Sequence, residues 1–359
     1  MKSLVVFGLV VLSSAFAIAD VNETLHGNIR VGYQHGVDTL GNGNELAIGA
    51  TVGYETKRWN NILVGGSISA VEGGSNGDGG YFIHGVKNDV LLLSEAFVKG
   101  FYANSEITIG RQLLDTPFAN SDDIGMIPNR FGGIKIVNSS IKETKITAGY
   151  INSMAVGTDD ENQAKFDKLG VFMAGVEYAG MDNLVLSSWY YQKPSELRTI
   201  YFDAQYINKI GRMDYEIAAQ YANQNINNQV SNIYGGKIFV SDKVSGVSLN
   251  GAYTKTVGVV ANNLYGGGPW YTSVEHSTIA DIGDNGSALK LGINIGKVGI
   301  NGLSFGIEKL WLKGDDDTYV SNSGVMASYE YNDSLTFRGY YNKIADGREN
   351  VRVFLDYKF

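Results

Sequence analysis

The sequence predicts an all-β fold, a transmembrane antiparallel β-barrel of eighteen strands whose third loop folds inward. Three observations predict it. Segments in which apolar and polar residues alternate recur along the chain, and the side chains of a strand point alternately to its two faces. The connections between these segments alternate between short and long. The composition, with 46 Gly and 22 Tyr but only 4 Pro, suits many short strands joined by turns.

Residues 1–19 have the organisation of a secretory signal peptide that is cleaved, and residues 20–359 then form one barrel domain. Lys2 precedes the apolar run LVVFGLVVL, and the following SSAFAIA contains an Ala-x-Ala cleavage site at Ala17 and Ala19. The run is too short for a stop-transfer helix, and the alternative is a buried N-terminal helix. We therefore expect an exported protein.

The composition argues against several functional classes. The chain has no Cys, so a disulfide framework and thiolate metal sites are excluded. A formal net charge of −8 argues against a nucleic-acid partner. The 4 His show no metal-ligand spacing, and no Ser/His/Asp set clusters on the predicted strands. We expect neither an enzyme nor a resident cofactor; residues 73–80 and 314–317 are weak candidates for surface Ca²⁺ binding.

The C-terminal segment VRVFLDYKF shows the alternation clearly. Val351, Val353 and Leu355 form an apolar face, while Arg352 and Asp356 lie on the other face. The same pattern recurs in the other segments. The predicted strands cover residues 24–34, 45–55, 61–71, 90–102, 105–112, 132–138, 143–150, 169–179, 183–192, 197–208, 212–221, 232–241, 246–255, 287–296, 302–310, 323–331, 334–342 and 349–359.

The connections indicate a membrane barrel. Short turns such as KRWN, ANS and YNDS alternate with long connections at residues 72–89, 113–131, 151–168 and 256–286. Short turns on one rim, long loops on the other and an even strand number are typical of bacterial outer-membrane barrels. A soluble β-sandwich also alternates, but it does not need this many strands. In hydrocarbon a sheet must close on itself because an open edge would leave backbone groups unpaired.

An eighteen-stranded barrel leaves an aqueous lumen, so the apolar face of each strand meets lipid and the polar face meets pore water. The expected partners are outer-membrane lipid and lipopolysaccharide. Tyr357 and Phe359 end the last strand, and such an ending resembles the signal that the barrel assembly machinery recognises. Other tyrosines near strand ends are candidates for interfacial girdles. They are Tyr33, Tyr54, Tyr102, Tyr150, Tyr178, Tyr221 and Tyr331.

Residues 113–131, LLDTPFANSDDIGMIPNRF, are predicted to be a constriction loop inside the lumen. This connection combines Asp115, Asp122, Asp123 and Arg130 with many large apolar side chains. A loop exposed to water has little reason to be so apolar, whereas a loop folded inward packs these residues against the wall. The alternative is a surface loop packed on a neighbouring subunit, as in a homotrimer.

The opposing wall is predicted to be basic. Closure makes the first and the last two strands neighbours, and each contributes one inward-facing Arg: Arg30, Arg338 and Arg352. A basic stripe opposite an acidic loop orients charged solutes and favours ions of one sign. The alternative is that these Arg residues pair with acidic wall residues such as Glu55 or Glu330. Lys237 and Lys290 are weaker candidates for the same wall.

Two segments resemble the OprD-type porins, substrate-selective outer-membrane channels of Gram-negative bacteria. GRQLLDTPFANSDDIGMIPNRFGG, residues 110–133, is similar to the family's third-loop region, and GGPWYTSVEHSTIAD, residues 267–281, is similar to its long seventh loop. The resemblance implies an eighteen-stranded barrel that passes small organic acids, amino acids, peptides or ions. Where the family often has an Arg after the acidic pair, this chain has Gly125.

The sequence favours an outer-membrane porin for passive diffusion of small hydrophilic solutes and ions. The alternative is a surface structural or adhesion barrel with a plugged lumen. A TonB-dependent transporter is disfavoured, because 359 residues cannot supply a plug domain in addition to a barrel of that class. Either sign of ion preference, and either a monomer or a homotrimer, fits this sequence.

Overall fold

The computed structural model describes residues 25–38, 41–76, 89–123, 125–157, 159–165, 169–275, 277–296 and 300–359. It is a closed antiparallel barrel of eighteen strands, as predicted. The signal peptide prediction lies outside the described residues. The barrel strands are β1 (Leu25–Asp38), β2 (Gly41–Glu55), β3 (Ile62–Asn76), β4 (Val90–Tyr102), β5 (Ser105–Gln112), β6 (Arg130–Asn138), β7 (Thr144–Val156), β8 (Val171–Met181), β9 (Leu184–Lys193), β10 (Leu197–Ile210), β11 (Met213–Ile226), β12 (Gln229–Asp242), β13 (Val247–Gly258), β14 (Ser287–Gly296), β15 (Leu303–Lys313), β16 (Tyr319–Glu330), β17 (Leu335–Ile344) and β18 (Glu349–Lys358).

The barrel closes between its first and last strands. β1 pairs with β18 in a register that sets Arg30 opposite Asp356 and Gln34 opposite Arg352. The backbone N–H of Gly27 donates to the carbonyl of Phe359 at 3.0 Å, and the N–H of Phe359 donates back at 3.1 Å. Because every strand has two neighbours, no open edge faces the lipid.

The two faces of the wall differ as the alternation predicts. On β18, Val353 is exposed on the outer face, whereas Arg352, Phe354 and Asp356 are buried inside the barrel. The other strands repeat this arrangement, so large exposed apolar side chains cover the outside. Burying such side chains in lipid stabilises the barrel by about 25 cal/mol per Å² of apolar surface.

One rim of the barrel, which we call the short-turn rim, has tight turns. The turn between β2 and β3 holds Asn60 and Asn61 at φ 45° and 64°, and the turn between β4 and β5 places Asn104 at φ 59°. Such left-handed positions match the twist of the flanking strands, and Asn tolerates them better than most residues. The opposite rim, the long-loop rim, carries the long connections.

Three short elements lie on the connections. Asp115–Thr116 pairs with Ala119–Asn120 in a small hairpin, and Asp159–Lys165 pairs back onto β7. A 3₁₀ turn covers Ile279–Asp281. In the described ranges, none of the helical turns is long and apolar enough to cross a bilayer.

Several strands are longer than predicted on the long-loop rim. β11 ends at Ile226 rather than at residue 221, and β12 begins at Gln229 rather than at residue 232. Several of the added residues are polar on both faces, as in Asn223, Gln224 and Asn225. Beyond the lipid the outer face no longer needs to be apolar, so the hairpin continues without the alternation that reveals a strand.

Candidate functional site

The connection between β5 and β6, residues 113–129 and hereafter loop L3, lies inside the barrel. Leu114 and Phe118 are buried in an apolar cluster with inward-facing side chains of β6–β10. Phe118 has no exposed surface. Its ring makes edge-on contacts, with centroid distances of 5.6 Å to Tyr191, 5.7 Å to Tyr201 and 5.4 Å to Trp270. Leu114 and Phe118 of L3 are thus covered, whereas Leu113 remains 39% exposed.

L3 has a second apolar contact on another sector of the wall. Met126 and Ile127 pack in a separate cluster with residues of β2, β3, β4 and β18. The wall members of this cluster are Ala47, Val71, Leu92 and Phe354. Because its two ends pack against different sectors, L3 is held across the interior.

The connection between β13 and β14, residues 259–286 and hereafter loop L7, joins L3 in the lumen. The N–H of Tyr265 donates to the carbonyl of Phe118 at 3.0 Å, and the N–H of Asn120 donates to the carbonyl of Tyr265 at 3.1 Å. L7 is also bound to the wall, since Thr272 donates to Thr254 at 2.9 Å. The sequence analysis did not predict that L7 contacts L3; Trp270 of L7 is buried in the same apolar cluster as Phe118.

The three predicted Arg residues lie together, and one carboxylate links two of them. Arg30 Nε donates to Asp356 Oδ1 at 2.5 Å. Arg338 donates to Asp356 Oδ2 from Nε at 3.0 Å and from Nη2 at 2.6 Å. Arg352 is on the same strand as Asp356, two inward-facing positions closer to the long-loop rim. Asp356 is thus a wall carboxylate that the sequence analysis missed.

L3 reaches this stripe through a bidentate ion pair. Arg30 Nη1 donates to Asp123 Oδ1 at 2.7 Å, and Nη2 donates to Oδ2 at 2.9 Å. Arg30 Nη1 also donates to the carbonyl of Gly125 at 2.5 Å. Paired parallel bonds of this type are stronger and more directional than a single contact. They fix the acidic segment of L3 against β1.

L7 reaches the same stripe through Glu275, which accepts a hydrogen bond from Arg352 Nη2. Asp122 lies near this contact. Burial raises the pKa of the Asp122 carboxyl above its ordinary value, and the negative charges of Glu275 and Asp123 raise it further. Carboxylates from L3, from L7 and from the wall therefore converge on one cluster of guanidiniums.

We call this set the constriction cluster. Its acidic members are Asp122, Asp123, Glu275 and Asp356, and its basic members are Arg30, Arg338 and Arg352. When all four carboxylates are ionised, they exceed the three guanidiniums by one negative charge. The partners suggested for the Arg residues were different: Glu55 instead accepts from Lys99 at 3.0 Å.

The two predicted Lys residues lie elsewhere, beneath L7. Both pair in register with Ala252, so they occupy one row across β12, β13 and β14. Lys237 lies 2.7 Å from Glu216 and 4.9 Å from the ring centroid of Tyr271. Lys290 donates to the carbonyl of Ser273 at 2.8 Å. They hold L7 to the wall and do not join the constriction cluster.

The two remaining residues predicted for the loop lie at its opposite ends, Asp115 close to β5 and Arg130 as the first residue of β6. Asp115 accepts from Asn120 Nδ2 at 3.0 Å in the small hairpin. Arg130 is fully buried, and its Nη2 donates to the carbonyl of Gly157 at 2.8 Å. Neither meets Arg30. At the C terminus, Tyr357 and Phe359 have ring centroids 6.3 Å apart.

Of the two calcium candidates, only residues 314–317 lie wholly within the described part of the chain. Residues 73–80 extend beyond the described part of the chain, as do His84 and His276. In the 314–317 segment, Asp315 accepts from Asn285 and Asp316 accepts from the N–H of Thr318. Among the described residues, no group of three His, Asp or Glu side chains is placed to bind a metal.

Comparison with known proteins places these features in context. Residues 94–352 match the family model described as outer membrane porin, OprD family. The fold is similar to that of Pseudomonas aeruginosa OpdL, with a TM-score of 0.78 and 15% identity over 94% of this chain and 98% of that chain. Pseudomonas aeruginosa OccK8 (OprE) has a TM-score of 0.79 and 14% identity, over 94% of this chain and 98% of that chain. Acinetobacter baumannii OccAB4 has a TM-score of 0.78 and 12% identity, over 94% of this chain and 99% of that chain. No curated protein sequence matches this chain.

Proposed function

The chain belongs to the OprD family of outer membrane porins of Gram-negative bacteria, and we propose that it forms a channel for passive diffusion of small hydrophilic solutes and ions, narrowed by L3 and L7 at the constriction cluster. The family and the fold are those of non-enzymatic channels. The eighteen-stranded wall is too wide to be filled by its own side chains, so the loops determine the width of the passage.

The observation that carries this proposal is the contact of Asp123 with Arg30. An acidic loop segment and a basic stripe contributed by three other strands meet in one bidentate pair, at 2.7 and 2.9 Å. Charges of both signs side by side give a transverse field that orients dipolar solutes. Asp123 is 52% exposed, so this field acts on water in the lumen and is not confined to a dry core.

The charge balance of the cluster supports a preference for cations. Three of its four carboxylates accept hydrogen bonds from guanidiniums, while Asp122 adds a further negative charge beside Glu275. A unit charge about 5 Å from a passing ion is worth roughly 0.8 kcal/mol in water. One net negative charge therefore favours cations over anions by about 1.7 kcal/mol, or up to roughly 15-fold, before salt screening.

The alternative function, a surface structural or adhesion barrel with a plugged lumen, also has support. L3 and L7 are hydrogen-bonded to each other, and both contribute to the larger apolar cluster inside the wall. Under this alternative the two loops close the lumen completely, and the surface loops carry the function.

Single-channel recording distinguishes the two functions. The refolded mature protein is inserted into a planar bilayer with a salt gradient across it. The channel function predicts stable open steps and a reversal potential of cation-selective sign. A folded barrel that never conducts would reject the channel and favour the plugged alternative.

A further inference from the structure

The outer wall of the barrel has an apolar hollow on strands β8–β11, on the face opposite to the lumen. Its volume is about 510 Å³. It forms where the small outward-facing side chains of Ser188, Ala204 and Ala219 follow one another across the strands. Ala204 pairs with Leu186 on one side and with Ala219 on the other, so the hollow runs across the strands rather than along one of them. We call it the outer hollow.

Aromatic side chains border the outer hollow toward both rims. On the side of the long-loop rim, Phe202 and Tyr221 have nearly parallel rings with centroids 6.4 Å apart, and Tyr221 and Tyr234 have centroids 5.1 Å apart. Toward the short-turn rim, Tyr206 and Tyr215 form a second pair at 6.2 Å. Aromatic girdles mark the two boundaries of the apolar band, and the long loops of bacterial barrels face the cell exterior. The outer hollow therefore faces lipid tails, and the residues beyond Tyr221 face the headgroups of the outer leaflet.

Beyond the aromatic row the outer face carries amides. Asn223 pairs with Asn232 across β11 and β12. Asn232 Oδ1 accepts hydrogen bonds from the hydroxyl of Tyr221 and from Asn223 Nδ2, both at 2.9 Å. These bonds leave Asn232 Nδ2 as a donor and Asn223 Oδ1 as an acceptor, neither of them used by another described residue. A donor and an acceptor held side by side suit the hydroxyl and amide groups of a sugar.

Two cations flank these amides. Arg198 faces outward on β10, four residues beyond Phe202, which is roughly 13 Å along the strand. It makes no ion pair within the described ranges, and Glu196, two residues earlier, is paired with Lys193 at 2.5 Å. Lys255 faces outward on β13 and donates to a carbonyl of L7, but it makes no salt bridge with any residue that the structure describes. Both side chains therefore have capacity for a phosphate.

We infer that this part of the outer wall binds a phosphorylated acyl glycolipid, the lipid A portion of lipopolysaccharide. From the outer hollow toward the long-loop rim the wall is apolar, then aromatic, then amide-bearing and cationic, which is the order of tails and phosphorylated sugars in such a lipid. Charge complementarity identifies the occupant, because two cations without carboxylate partners beside an apolar surface require an anionic amphiphile.

The spacing of the two cations fits one molecule with two phosphates. Arg198 and Lys255 are three strands and four rows apart, roughly 14 Å across the strands and roughly 13 Å along them. The long side chains shorten this span from both ends, so each can bind a different phosphate of the same disaccharide. The inference does not rest on the proposed function, since the outer wall is the same whether or not the lumen conducts.

The test uses the mature protein refolded in detergent, free of bacterial lipid. Native mass spectrometry counts bound lipids in titrations with lipid A, with monophosphoryl lipid A, which lacks one phosphate, and with zwitterionic phosphatidylethanolamine. We expect one lipid A per barrel to bind about tenfold more tightly than monophosphoryl lipid A, the effect of one charge-assisted contact, and phosphatidylethanolamine to bind more weakly still. Equal binding of the three lipids, or no binding of lipid A, would overturn the inference.

Charge variants then locate the site. Arg198→Gln and Lys255→Gln should each weaken lipid A binding about tenfold, and one of them should abolish the preference over monophosphoryl lipid A. Arg212→Gln is the matched control, since this exposed Arg at the short-turn rim lies 3.2 Å from Asp242, and it should leave binding unchanged. Unchanged binding in a folded Arg198→Gln variant would remove the site.

A variant that fills the outer hollow tests the tail contact. Ala219→Phe should weaken lipid A binding several-fold, whereas Ala327→Phe, at an outward-facing position opposite Phe305 on another sector of the wall, should not. Equal effects of the two variants would overturn the contact. A dimer that binds no lipid A would assign the outer hollow to a second copy of the chain and reject the inference. The comparison of lipids on the wild-type protein decides even if the variants do not fold.

Discussion

Glu275→Gln tests how firmly L7 is held in the lumen. Arg352 has no exposed surface and Glu275 is 22% exposed, so this contact is mostly buried. Removing one partner of a fully buried pair costs about 3–5 kcal/mol, because the remaining charge loses its nearest counter-charge. The partial exposure of Glu275 lowers the expected cost to about 2–3 kcal/mol.

This loss should act on the loop rather than on the barrel. The strand ladder between β17, β18 and β1 does not involve Glu275, so the temperature of global unfolding should change little. The population of detached L7 should rise by roughly 30- to 150-fold, since 1.36 kcal/mol corresponds to a factor of ten. We expect faster amide hydrogen exchange in residues 270–275 and larger current noise in single-channel records.

The matched control is Glu330→Gln, an exposed carboxylate at the short-turn end of β16. It should change neither the exchange nor the noise. Unaltered exchange of residues 270–275 in the Glu275→Gln variant would refute the argument that the Arg352 contact holds L7.

Three further predictions concern the same cluster and the loops that form it. Because the pKa of Asp122 is raised, this carboxyl loses its negative charge at a higher pH than a free Asp does as the pH falls. Cation selectivity should therefore decline as the pH falls through the raised pKa of Asp122. Reversal potentials measured against pH should show this decline in the wild type and lack it in the Asp122→Asn variant. Arg338→Gln removes one positive charge and should increase cation selectivity in a salt gradient, and an unchanged or more anion-selective reversal potential would contradict the charge count. Phe118→Ala removes a fully buried ring and should destabilise the packing of L3 by about 3–5 kcal/mol, seen as noisier and larger conductance steps, whereas steps identical to wild type would mean that this contact does not hold the loop.

The barrel could be predicted because lipid and water impose opposite requirements on the two faces of each strand. Alternation such as that of Val351, Val353 and Leu355 is therefore visible in the sequence, and closure then determines that β18 pairs with β1. The proximity of Arg30, Arg338 and Arg352 follows from this closure, and the structure places the three on neighbouring strands. The hairpin extensions above the lipid could not be predicted, because no alternation is required there.

The partners of the Arg residues could not be predicted in the same way. Glu275 lies 77 residues from Arg352 in the chain, and Asp123 lies 93 residues from Arg30. Such contacts depend on how an irregular loop folds, which no periodic pattern specifies. Asp356 was the one partner that strand pairing alone could have predicted, because it lies opposite Arg30 on the paired strand. The composition of L3 indicated that it folds inward, but not that L7 would pair with it.

The most direct test of the account is the reversal potential of the Asp122→Asn/Asp123→Asn double variant, measured beside the wild type in the same salt gradient. The exposed Asp182→Asn in the turn between β8 and β9 serves as the control and should match the wild type. Neutralising both carboxylates changes the constriction cluster from one net negative to one net positive charge, so the account predicts a change from cation to anion selectivity. A reversal potential identical to that of the wild type would contradict the placement of L3 at the constriction.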